Sequence, residues 1–240
     1  MPEKRQPPTR PAGERKGLKA NVLQLGADFV QDTSPLKGFD AYVVGFHCAR
    51  EDPSMQMEAH HYCKRVNEDL LQCVVFDGNT EEANLIGLEY IISERLFEGL
   101  PEEEKPYWHP HNFEVLSGQL VAPDLPDAVE KELMKQLINS YGKTWHTWHT
   151  GTHTGERGTP LPYGDATLMW SFNRDGEVDE VLVKDRDQHM ELNTSHKRRY
   201  RYDLSGSAHP QQGVDTLKDA FPAADGAPRG VREAGDRSRG

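Results

Sequence analysis

The sequence predicts an α+β fold, with one domain built from a largely antiparallel sheet and helices packed on one side of it. Three observations lead to this class. Several segments have the alternation or the β-branched and aromatic content of strands, for example residues 70–76 (LLQCVVF). Tight turn signals such as Asp77-Gly78-Asn79 join neighbouring strands. One strongly amphipathic helix, at residues 126–140, separates the strand predicted at residues 113–122 from the strand predicted at residues 144–150.

The two ends of the chain differ from its middle. The chain has 240 residues and an apolar content of only 35%. Residues 1–17 are dominated by Pro, Arg and Lys, and residues 204–240 by Gly, Ala, Pro, Arg and Asp. Neither end contains enough apolar surface to offset the entropy cost of ordering it. We therefore expect disordered tails at residues 1–17 and 204–240, around one domain of ordinary size at residues 18–203.

The chain is acidic, with a formal net charge of −11, and its N-terminal tail is basic, so the negative charge is concentrated in the domain. Such a domain repels phosphate backbones, which argues against nucleic acid as a partner. A local exception is the basic run at residues 196–201 (HKRRYR). We interpret it either as the solvated basic end of a helix or as a contact for an anion or a membrane surface.

Targeting signals and cysteine usage point to the cytoplasm. No stretch of about 18 apolar residues is present, which predicts no transmembrane segment. The basic N-terminus lacks the apolar region of a secretory signal. Cys48, Cys63 and Cys73 are odd in number and include no CxxC pair. These features predict a cytoplasmic protein with reduced thiols.

The first half of the chain is rich in strand signals. Residues 22–30 fit either an amphipathic helix or the start of a strand. Residues 40–48 (DAYVVGFHC) are β-branched and aromatic and predict a buried strand. Residues 50–57 are polar and contain a proline, which predicts a loop. Residues 70–76 are apolar on both faces and predict a central strand, which forms an antiparallel hairpin with a second strand at residues 83–92.

Helices and a strand alternate in the middle of the chain. Ser93 is a good N-cap for a short helix through Phe97. A proline followed by three acidic residues predicts another helix at residues 100–105. Residues 113–122 predict a further strand. The helix at residues 126–140 follows, with apolar positions at spacings of four and three.

The last part of the domain alternates strands with loops. Residues 144–150 (TWHTWHT) predict another strand, and residues 151–164 are rich in Gly and Pro and predict a long loop. Residues 166–173 (ATLMWSFN) predict the last strand. Residues 178–189 fit the start of a strand that passes into a polar helix.

Residues 107–118 (YWHPHNFEVLSG) are the best candidate for a functional site. Alternate residues of a strand point the same way, so His109 and His111 would share a face and chelate one metal ion. Two features weigh against a regular strand here. Pro110 removes a ladder donor, and the period of two places Glu114 on the face opposite to the histidines. The alternative is the polar start of a strand whose imidazoles are hydrogen-bonded to loops.

Two other segments contain candidate ligands. His60-His61-Tyr62-Cys63 combines imidazoles with a thiol, which suits a divalent transition metal. The alternative for Cys63, as for Cys73, is a small buried apolar side chain. Trp145-His146-Thr147-Trp148-His149 would direct its two histidines to opposite faces of a strand, so at most one of them joins a cluster. The alternative there is an aromatic-lined strand with one solvent face.

A metal centre forms if histidines from these three segments meet in the fold. The candidate ligands are His61, His109, His111 and His146. Glu89 or Glu114 would then act as an added ligand or as a catalytic base. The expected cofactor is a divalent transition metal, and the expected protein is a metal-dependent enzyme or a small-molecule binder. The sequence contains no G-x-S-x-G, glycine-rich phosphate loop or H-E-x-x-H motif, so nucleotide use and the standard hydrolase classes lack support.

Several stretches together resemble the plant oil-body-associated proteins, whose bacterial and fungal relatives are classed as a domain of unknown function. The stretches are EAHHYCKRVNEDLLQCVVFDG, LIGLEYIIS, WHPHNFEVLSGQLVAP, YGKTWHTWH and LMWSFNRDGEVD. They occur in the same order and with similar spacing, from about residue 36 to residue 199 of this chain. The resembling pattern includes the positions His61, Cys63, Asn67, Glu68, Gln72, Cys73, Glu89, His109, His111, Glu114, Gly118, Gly142 and His146. His149 falls outside the pattern and is discounted as a site residue.

The resemblance implies association with lipid bodies but brings no catalytic mechanism or cofactor. One expectation is therefore a soluble protein associated with a lipid droplet or a membrane surface, with a lipid surface or a small molecule as its partner. The acidic chain has no hydrophobic hairpin that would embed it in a lipid monolayer, which argues against oil-body localisation. A structural or interaction domain without a site is the third interpretation.

Overall fold

The computed structural model describes residues 4–235 of the chain. Its strands are β1 (Ala41–Ala49), β2 (Gln56–Asn67), β3 (Leu70–Phe76), β4 (Leu85–Ile92), β5 (His109–Pro110), β6 (Tyr141–His146) and β7 (Thr167–Trp170). Its α-helices are α1 (Leu18–Val30), α2 (Glu94–Glu98), α3 (Asn112–Ser117), α4 (Asp127–Leu137), α5 (Glu180–His189) and α6 (Thr194–Tyr200). Short 3-10 helices occupy Ser34–Leu36, Lys105–Tyr107 and Tyr202–Ser207.

The strands form one antiparallel sheet that closes on itself. Their order is β4-β3-β2-β1-β7-β6-β5, and β6 also pairs along its length with β4. The α+β class and the largely antiparallel sheet are thereby confirmed. The expected placement of helices on one side is corrected, because a closed sheet has an inner and an outer face.

Helices pack against both of these faces. Val115 of α3 and Leu137 of α4 lie in one buried cluster with Val43, Cys63 and Ile91 of the strands. These strand residues belong to the inner face, so α3 and α4 cover one end of the closed sheet. On the outer face, α5 packs in a second cluster over residues of β1 and β7. The interior therefore combines an apolar layer near α4 with the polar residues described below.

The sequence predicts a loop at residues 50–57 and no element immediately after it, whereas strand β2 begins at Gln56 and continues to Asn67. The strand pairs with both β1 and β3. The pattern of apolar residues does not predict β2, because several of the buried side chains in this strand are polar and contact partners from other elements. The carboxylate of Glu58, for example, accepts hydrogen bonds from the Arg5 guanidinium, and His60 contacts the Tyr42 hydroxyl at 2.7 Å.

The predicted strand at residues 113–122 is wrong in its first half. Asn112–Ser117 form helix α3, whose residues are all buried. The helix ends at Gly118, which has a φ of +81° in the left-handed region that favours glycine. The chain becomes extended only after this turn, and Val121 makes a single bridge to Val44. Burial of apolar side chains in a short helix here outweighs their β propensity.

Other elements agree with the sequence except at their ends. The strands predicted at residues 40–48, 70–76 and 83–92, the hairpin between the last two and the long helix from residue 127 are all present. Strand β6 begins at Tyr141, earlier than expected, because it pairs there with β4 and β5. Residues 100–104 form turns instead of the predicted helix.

The terminal segments contact the domain over part of the predicted tails. Leu204, Val214 and Leu217 are buried, and the Arg5 side chain is only 5% exposed. Hydrogen bonds from Arg5 to Glu58 explain why this part of the polar N-terminus is ordered. Residues 1–3 and 236–240 of the predicted tails lie outside the described residues.

The cysteines are not all reduced. Cys63 and Cys73 face each other across β2 and β3 and form a disulfide, whereas Cys48 is a buried free thiol. The prediction of reduced thiols is therefore wrong for this pair. The odd number of cysteines did not suggest a disulfide. The bond uses two of the cysteines and leaves the third, Cys48, as a buried thiol.

The basic run at residues 196–201 is largely occupied by partners inside the protein. Lys197 Nζ lies 2.7 Å from Asp127 Oδ1 and 2.6 Å from Glu130 Oε2. The buried Arg201 guanidinium donates to the carbonyl oxygens of Val115 and Leu120. These contacts tie α6 to α3 and α4, so two cations of the run are not available to a membrane surface.

Candidate metal centre

Two polar residues of the sheet face its interior together. The register pairs His61 of β2 with Val75 of β3, and Glu89 of β4 with Cys73 of β3. Paired residues point to the same side of a sheet, as do residues two apart on one strand. Since Val75 and Cys73 are two apart, His61 and Glu89 share the inner face.

The segment around α3 brings further ligands to the same space. His109 of β5 pairs with Gly142 of β6, His111 directly precedes α3, and Glu114 lies in the first turn of α3. Glu114 Oε2 is 4.0 Å from His111 Nε2. The strand period placed Glu114 on the opposite face, but the helical turn places it beside His111.

Glu89 is the centre of this group. Its Oε2 atom lies 3.1 Å from His61 Nε2, and its Oε1 atom lies 3.3 Å from His109 Nε2 and 3.5 Å from His111 Nε2. All of these side chains are between 0% and 3% exposed. The fold thus gathers three of the four predicted histidines around one of the two predicted carboxylates.

The fourth predicted ligand, His146, lies beside this group. Its Nε2 atom is 3.4 Å from His47 Nδ1, and its Nδ1 atom is 3.2 Å from Met57 Sδ. His47 in turn forms a compact group with Glu89 and His109, in which one candidate ligand atom from each residue lies within 4.8 Å of the others. His146 is therefore connected to the group around Glu89 by its contact with His47.

Sequence reasoning missed His47. This residue lies in β1, a strand that the sequence predicts, and it is 2% exposed. Val43 is paired with His61, so His47, four residues further along β1, faces the same interior. The sequence does show a histidine inside an otherwise apolar strand. The side of the sheet that this histidine faces is known only once β1 is paired with β2.

A hydrogen-bond chain fixes the tautomer of neutral His111. The Ser140 hydroxyl donates its single hydrogen to the Leu137 carbonyl at 2.7 Å. The same oxygen lies 2.8 Å from His111 Nδ1 and must accept a hydrogen from it. In the neutral ring, Nε2 therefore carries the lone pair, and this lone pair is directed toward the carboxylate oxygens of Glu89.

Several polar atoms at this place lack a hydrogen bond. Both ring nitrogens of His61 and of His109, together with Glu89 Oε1, are buried and have no hydrogen-bond partner within residues 4–235. The distances from the Nε2 atoms of His61 and His109 to the Glu89 carboxylate are short, but these contacts do not have the geometry of hydrogen bonds. Buried polar atoms without a partner are rare in proteins and call for an explanation, such as a bound ion.

Burial keeps the neighbouring imidazoles neutral. It lowers the pKa of His47 well below the ordinary value and lowers the pKa of His146 to about 3, and in both cases the charge of His61 adds to the effect. The pKa of His109 is also lowered, again chiefly by burial. Neutral imidazole is the form that coordinates metals.

The two carboxyl groups are shifted in opposite directions. Burial raises the pKa of Glu89, but the charge of His61 and the contacts with His109 and His111 outweigh it, so that the pKa lies well below its usual range. Burial and the nearby charge of Glu89 raise the pKa of Glu114 well above its usual range. One group is therefore an anion suited to coordination and the other a neutral acid, a division of roles common in catalytic sites.

A small internal cavity adjoins these groups. Its volume is about 20 Å³, and its polar lining consists of His47, His61, Glu89, His111 and Glu114. This is room for one water molecule or one cation, but not for a larger ligand. Imidazole and carboxylate around such a space suit zinc, iron, manganese or another divalent transition metal.

The remaining candidates lie elsewhere. His149 is paired with the exposed Glu156 at 3.0 Å, in line with its exclusion from the site. Trp108 and Trp170 line a surface cavity of about 280 Å³. Trp148 lines a different cavity.

Comparison with known proteins identifies the chain's relatives. A family model described as "Protein of unknown function (DUF1264)" matches residues 33–205. The chain is similar to oil body-associated protein 2A of Arabidopsis thaliana, with 38% identity over 82% of this chain and 78% of the relative. It is 33% identical to oil body-associated protein 1B of the same plant, over 92% of this chain and 86% of the relative. Oil body-associated protein 1A of Zea mays is 36% identical, over 83% of this chain and 80% of the relative.

Two further findings complete the comparison. No solved structure matches the chain. Within the described residues, no helix has both the length and the apolar character needed to cross a membrane. The extent of the family match and the identity and coverage of the plant relatives establish that this chain belongs to the oil body-associated protein family.

Proposed function

We propose that this protein binds one divalent transition-metal ion inside its closed sheet. A single observation carries the proposal, namely the approach of three imidazole Nε2 atoms to the buried Glu89 carboxylate at 3.1–3.5 Å. Three imidazoles and one carboxylate match the donors and the ligand number of many zinc and other transition-metal sites.

The residues that would hold the ion are His61, Glu89, His109 and His111. His47 has a candidate ligand atom within 4.8 Å of those of Glu89 and His109 and would serve as a further ligand. Such an ion supplies Lewis-acid polarisation and a bound water of lowered pKa. Glu114 is the candidate acid–base residue, because its neutral carboxyl group would hold a proton beside His111.

A metal-free network explains the geometry less well. A buried carboxylate is tolerated when its oxygens accept well-formed hydrogen bonds or coordinate an ion. Glu89 Oε1 has no hydrogen-bond partner among residues 4–235, although two ring nitrogens lie close to it. Placing a cation between the Nε2 lone pairs and the carboxylate would satisfy all of these atoms together.

Elemental analysis of protein purified without an affinity tag tests the proposal. We expect about one zinc, iron, manganese or copper ion per chain in the wild-type protein. Removing a ligand with His109→Ala should lower the metal content at least about tenfold. The matched control is His149→Ala, which removes a partly exposed histidine outside the group and should leave the metal content unchanged.

The result that would overturn the proposal is equally clear. If the wild-type protein contains no stoichiometric metal and does not bind added zinc or manganese, the histidines are a structural network. The same conclusion follows if the His109→Ala and His149→Ala proteins retain equal metal. Circular dichroism of each variant confirms that the comparison is made between folded proteins.

A lipid surface is a second candidate partner, favoured by helix α1. Leu18, Val22 and Leu25 follow each other at spacings of four and three, which places them on one stripe of α1, and all three are exposed. Arg15 and Lys19 lie close to the start of this stripe. An apolar stripe with nearby cations is typical of helices that lie on a lipid surface. The names of the plant relatives point the same way.

Flotation with phospholipid-coated triacylglycerol droplets tests this second function. We expect the wild-type protein to float and the double variant Val22→Asp/Leu25→Asp to stay in the aqueous layer. The control Ala20→Asp/Gln24→Asp introduces the same charge on the opposite face of α1 and should float like the wild type. Wild-type protein that remains in the aqueous layer, or equal flotation of the two double variants, would rule out α1 as the lipid-binding element.

A further inference from the structure

A second cavity lies next to the proposed metal centre but opens to the surface. It has a volume of about 160 Å³, and its lining includes His146 and the methionines Met55, Met57 and Met169. His146 separates this cavity from His47, since its two ring nitrogens contact His47 on one side and Met57 on the other. The cavity is therefore adjacent to the centre and chemically different from it.

Sulfur is the distinguishing feature of this cavity. The chain has 6 methionines, and three of them converge here. Met57 and Met169 are buried and form one apolar cluster with Ala49, and the partly buried Met55 packs against that cluster. Methionine side chains also fill irregular gaps in ordinary cores. The contact with a histidine is what sets this cluster apart.

His146 places a ring nitrogen next to one of these sulfur atoms. Its Nδ1 atom lies 3.2 Å from Met57 Sδ, and the ring is 4% exposed. Strand pairing holds the two residues in place, because His146 is the last residue of β6 and Met57 lies near the start of β2. Imidazole and thioether next to each other at the inner end of an open cavity form a donor pair for a soft cation.

We propose that His146 and Met57, with Met169 at the same cavity, form a binding site for a soft monovalent metal cation of the Cu(I) class. Thioether sulfur prefers soft cations, whereas carboxylate-containing sites such as the Glu89 group prefer harder divalent ions. The two sites would therefore differ in the metal they select. This site does not depend on whether the Glu89 centre is occupied.

Silver(I) is a suitable probe because it is soft, monovalent and stable toward oxidation. The full-length Cys48→Ala protein, which lacks the free thiol that would compete for silver, would carry methionines labelled with ¹³C at the methyl group. It would be titrated with silver nitrate in chloride-free buffer and followed by NMR. We expect the methyl signals of Met57 and Met169 to shift and to saturate near one equivalent. Met134 and Met190 pack in other clusters and are internal controls whose signals should not move.

A variant and a second metal make the test specific. The volume-conserving change Met57→Leu/Met169→Leu should weaken silver binding by at least about tenfold, because it removes the sulfur donors while keeping the packing. Zinc should leave the Met57 and Met169 signals in place. The variant His109→Ala, which targets the Glu89 group, should retain silver binding, so that failure of one site is distinguished from failure of the other.

Two results would overturn this inference. The first is a titration in which Met57 and Met169 do not shift, or shift no more than Met134 and Met190. The second is wild-type silver affinity in the Met57→Leu/Met169→Leu variant, which would place the bound silver elsewhere. In either case the methionines are only packing residues.

Discussion

A Cβ atom on Gly142 would overlap Glu89 Oε1. It would also lie 2.6 Å from Nε2 of both His109 and His111. Gly142 lies in β6, opposite Ile91 of β4 and His109 of β5. Three of the proposed ligand atoms therefore surround the space that the missing side chain leaves open.

Gly142→Ala should weaken metal binding by filling this space with a methyl group. We expect metal affinity to fall at least about tenfold and the free energy of unfolding to fall by about 1–3 kcal/mol through overpacking. Gly99→Ala is the matched control, because a Cβ atom there would come no closer than 3.6 Å to its nearest neighbour, the Leu96 carbonyl oxygen. Isothermal titration with zinc and chemical denaturation measure the two quantities. Wild-type affinity in Gly142→Ala would contradict the proposed ligand set.

Ser140→Ala should weaken metal binding without removing a ligand. The Ser140 hydroxyl accepts from His111 Nδ1 and thereby directs the Nε2 lone pair toward Glu89. Loss of such an orienting contact typically costs about 10–100-fold in metal affinity. Ser205→Ala removes a comparable hydroxyl that donates to the Tyr202 carbonyl and should have no effect. Equal zinc affinities in the two variants would show that the serine does not orient the histidine.

Arg5→Met should destabilise the protein in a pH-dependent way. Burial raises the pKa of Glu58, but contacts with His60 and Arg5 outweigh it and hold the pKa well below its usual range. A carboxyl group with a lowered pKa stabilises the fold above its unfolded pKa, and this contribution is lost as pH falls. Breaking the buried ion pair should cost about 3 kcal/mol at pH 7. The difference from wild type should shrink below about pH 4.5.

Urea denaturation of both proteins across this pH range measures the effect. Arg10→Met is the control, since it removes the same charge from an exposed side chain. A difference between wild type and Arg5→Met that grows as pH falls would contradict the assigned role of Glu58.

The disulfide predicts a definite thiol count. The chain has 3 cysteines, and Cys63 is bonded to Cys73, so the unfolded, unreduced protein should expose only the Cys48 thiol. Reduction should raise the count to that of all cysteines and lower the free energy of unfolding by about 2–3 kcal/mol. Cys48→Ala should expose no thiol before reduction. Titration with a chromogenic thiol reagent under denaturing conditions measures the number of free thiols. If all the cysteines react before reduction, the disulfide is contradicted.

Patterns of apolar residues predicted much of the sheet. The strands at residues 40–48, 70–76 and 83–92 and the helix from residue 127 were recognisable because their buried faces follow the period of the element. Strand β2 and helix α3 were not. In β2 the buried side chains are polar and are satisfied by distant partners such as Arg5, and in α3 burial overrides local propensity.

The residues of the candidate site were likewise predicted only in part. Reactive side chains at close spacing marked His61, His109 and His111, and the same reasoning named Glu89 as a ligand or base. Glu114 was placed on the wrong face because its segment is helical. His47 was overlooked because a histidine in an apolar strand carries no signal until its partner strand is known.

The sequence alone determined the family, through its resemblance to known proteins. It also determined the α+β class, most of the strands and the residue types capable of holding a metal, because these follow from local pattern and composition. Only the tertiary structure decided which of those side chains meet. Closure of the sheet through β4 and β6 directs residues far apart in the chain toward one interior, and strand register sets the face of each. Such convergence depends on pairing between distant strands, which no local pattern encodes.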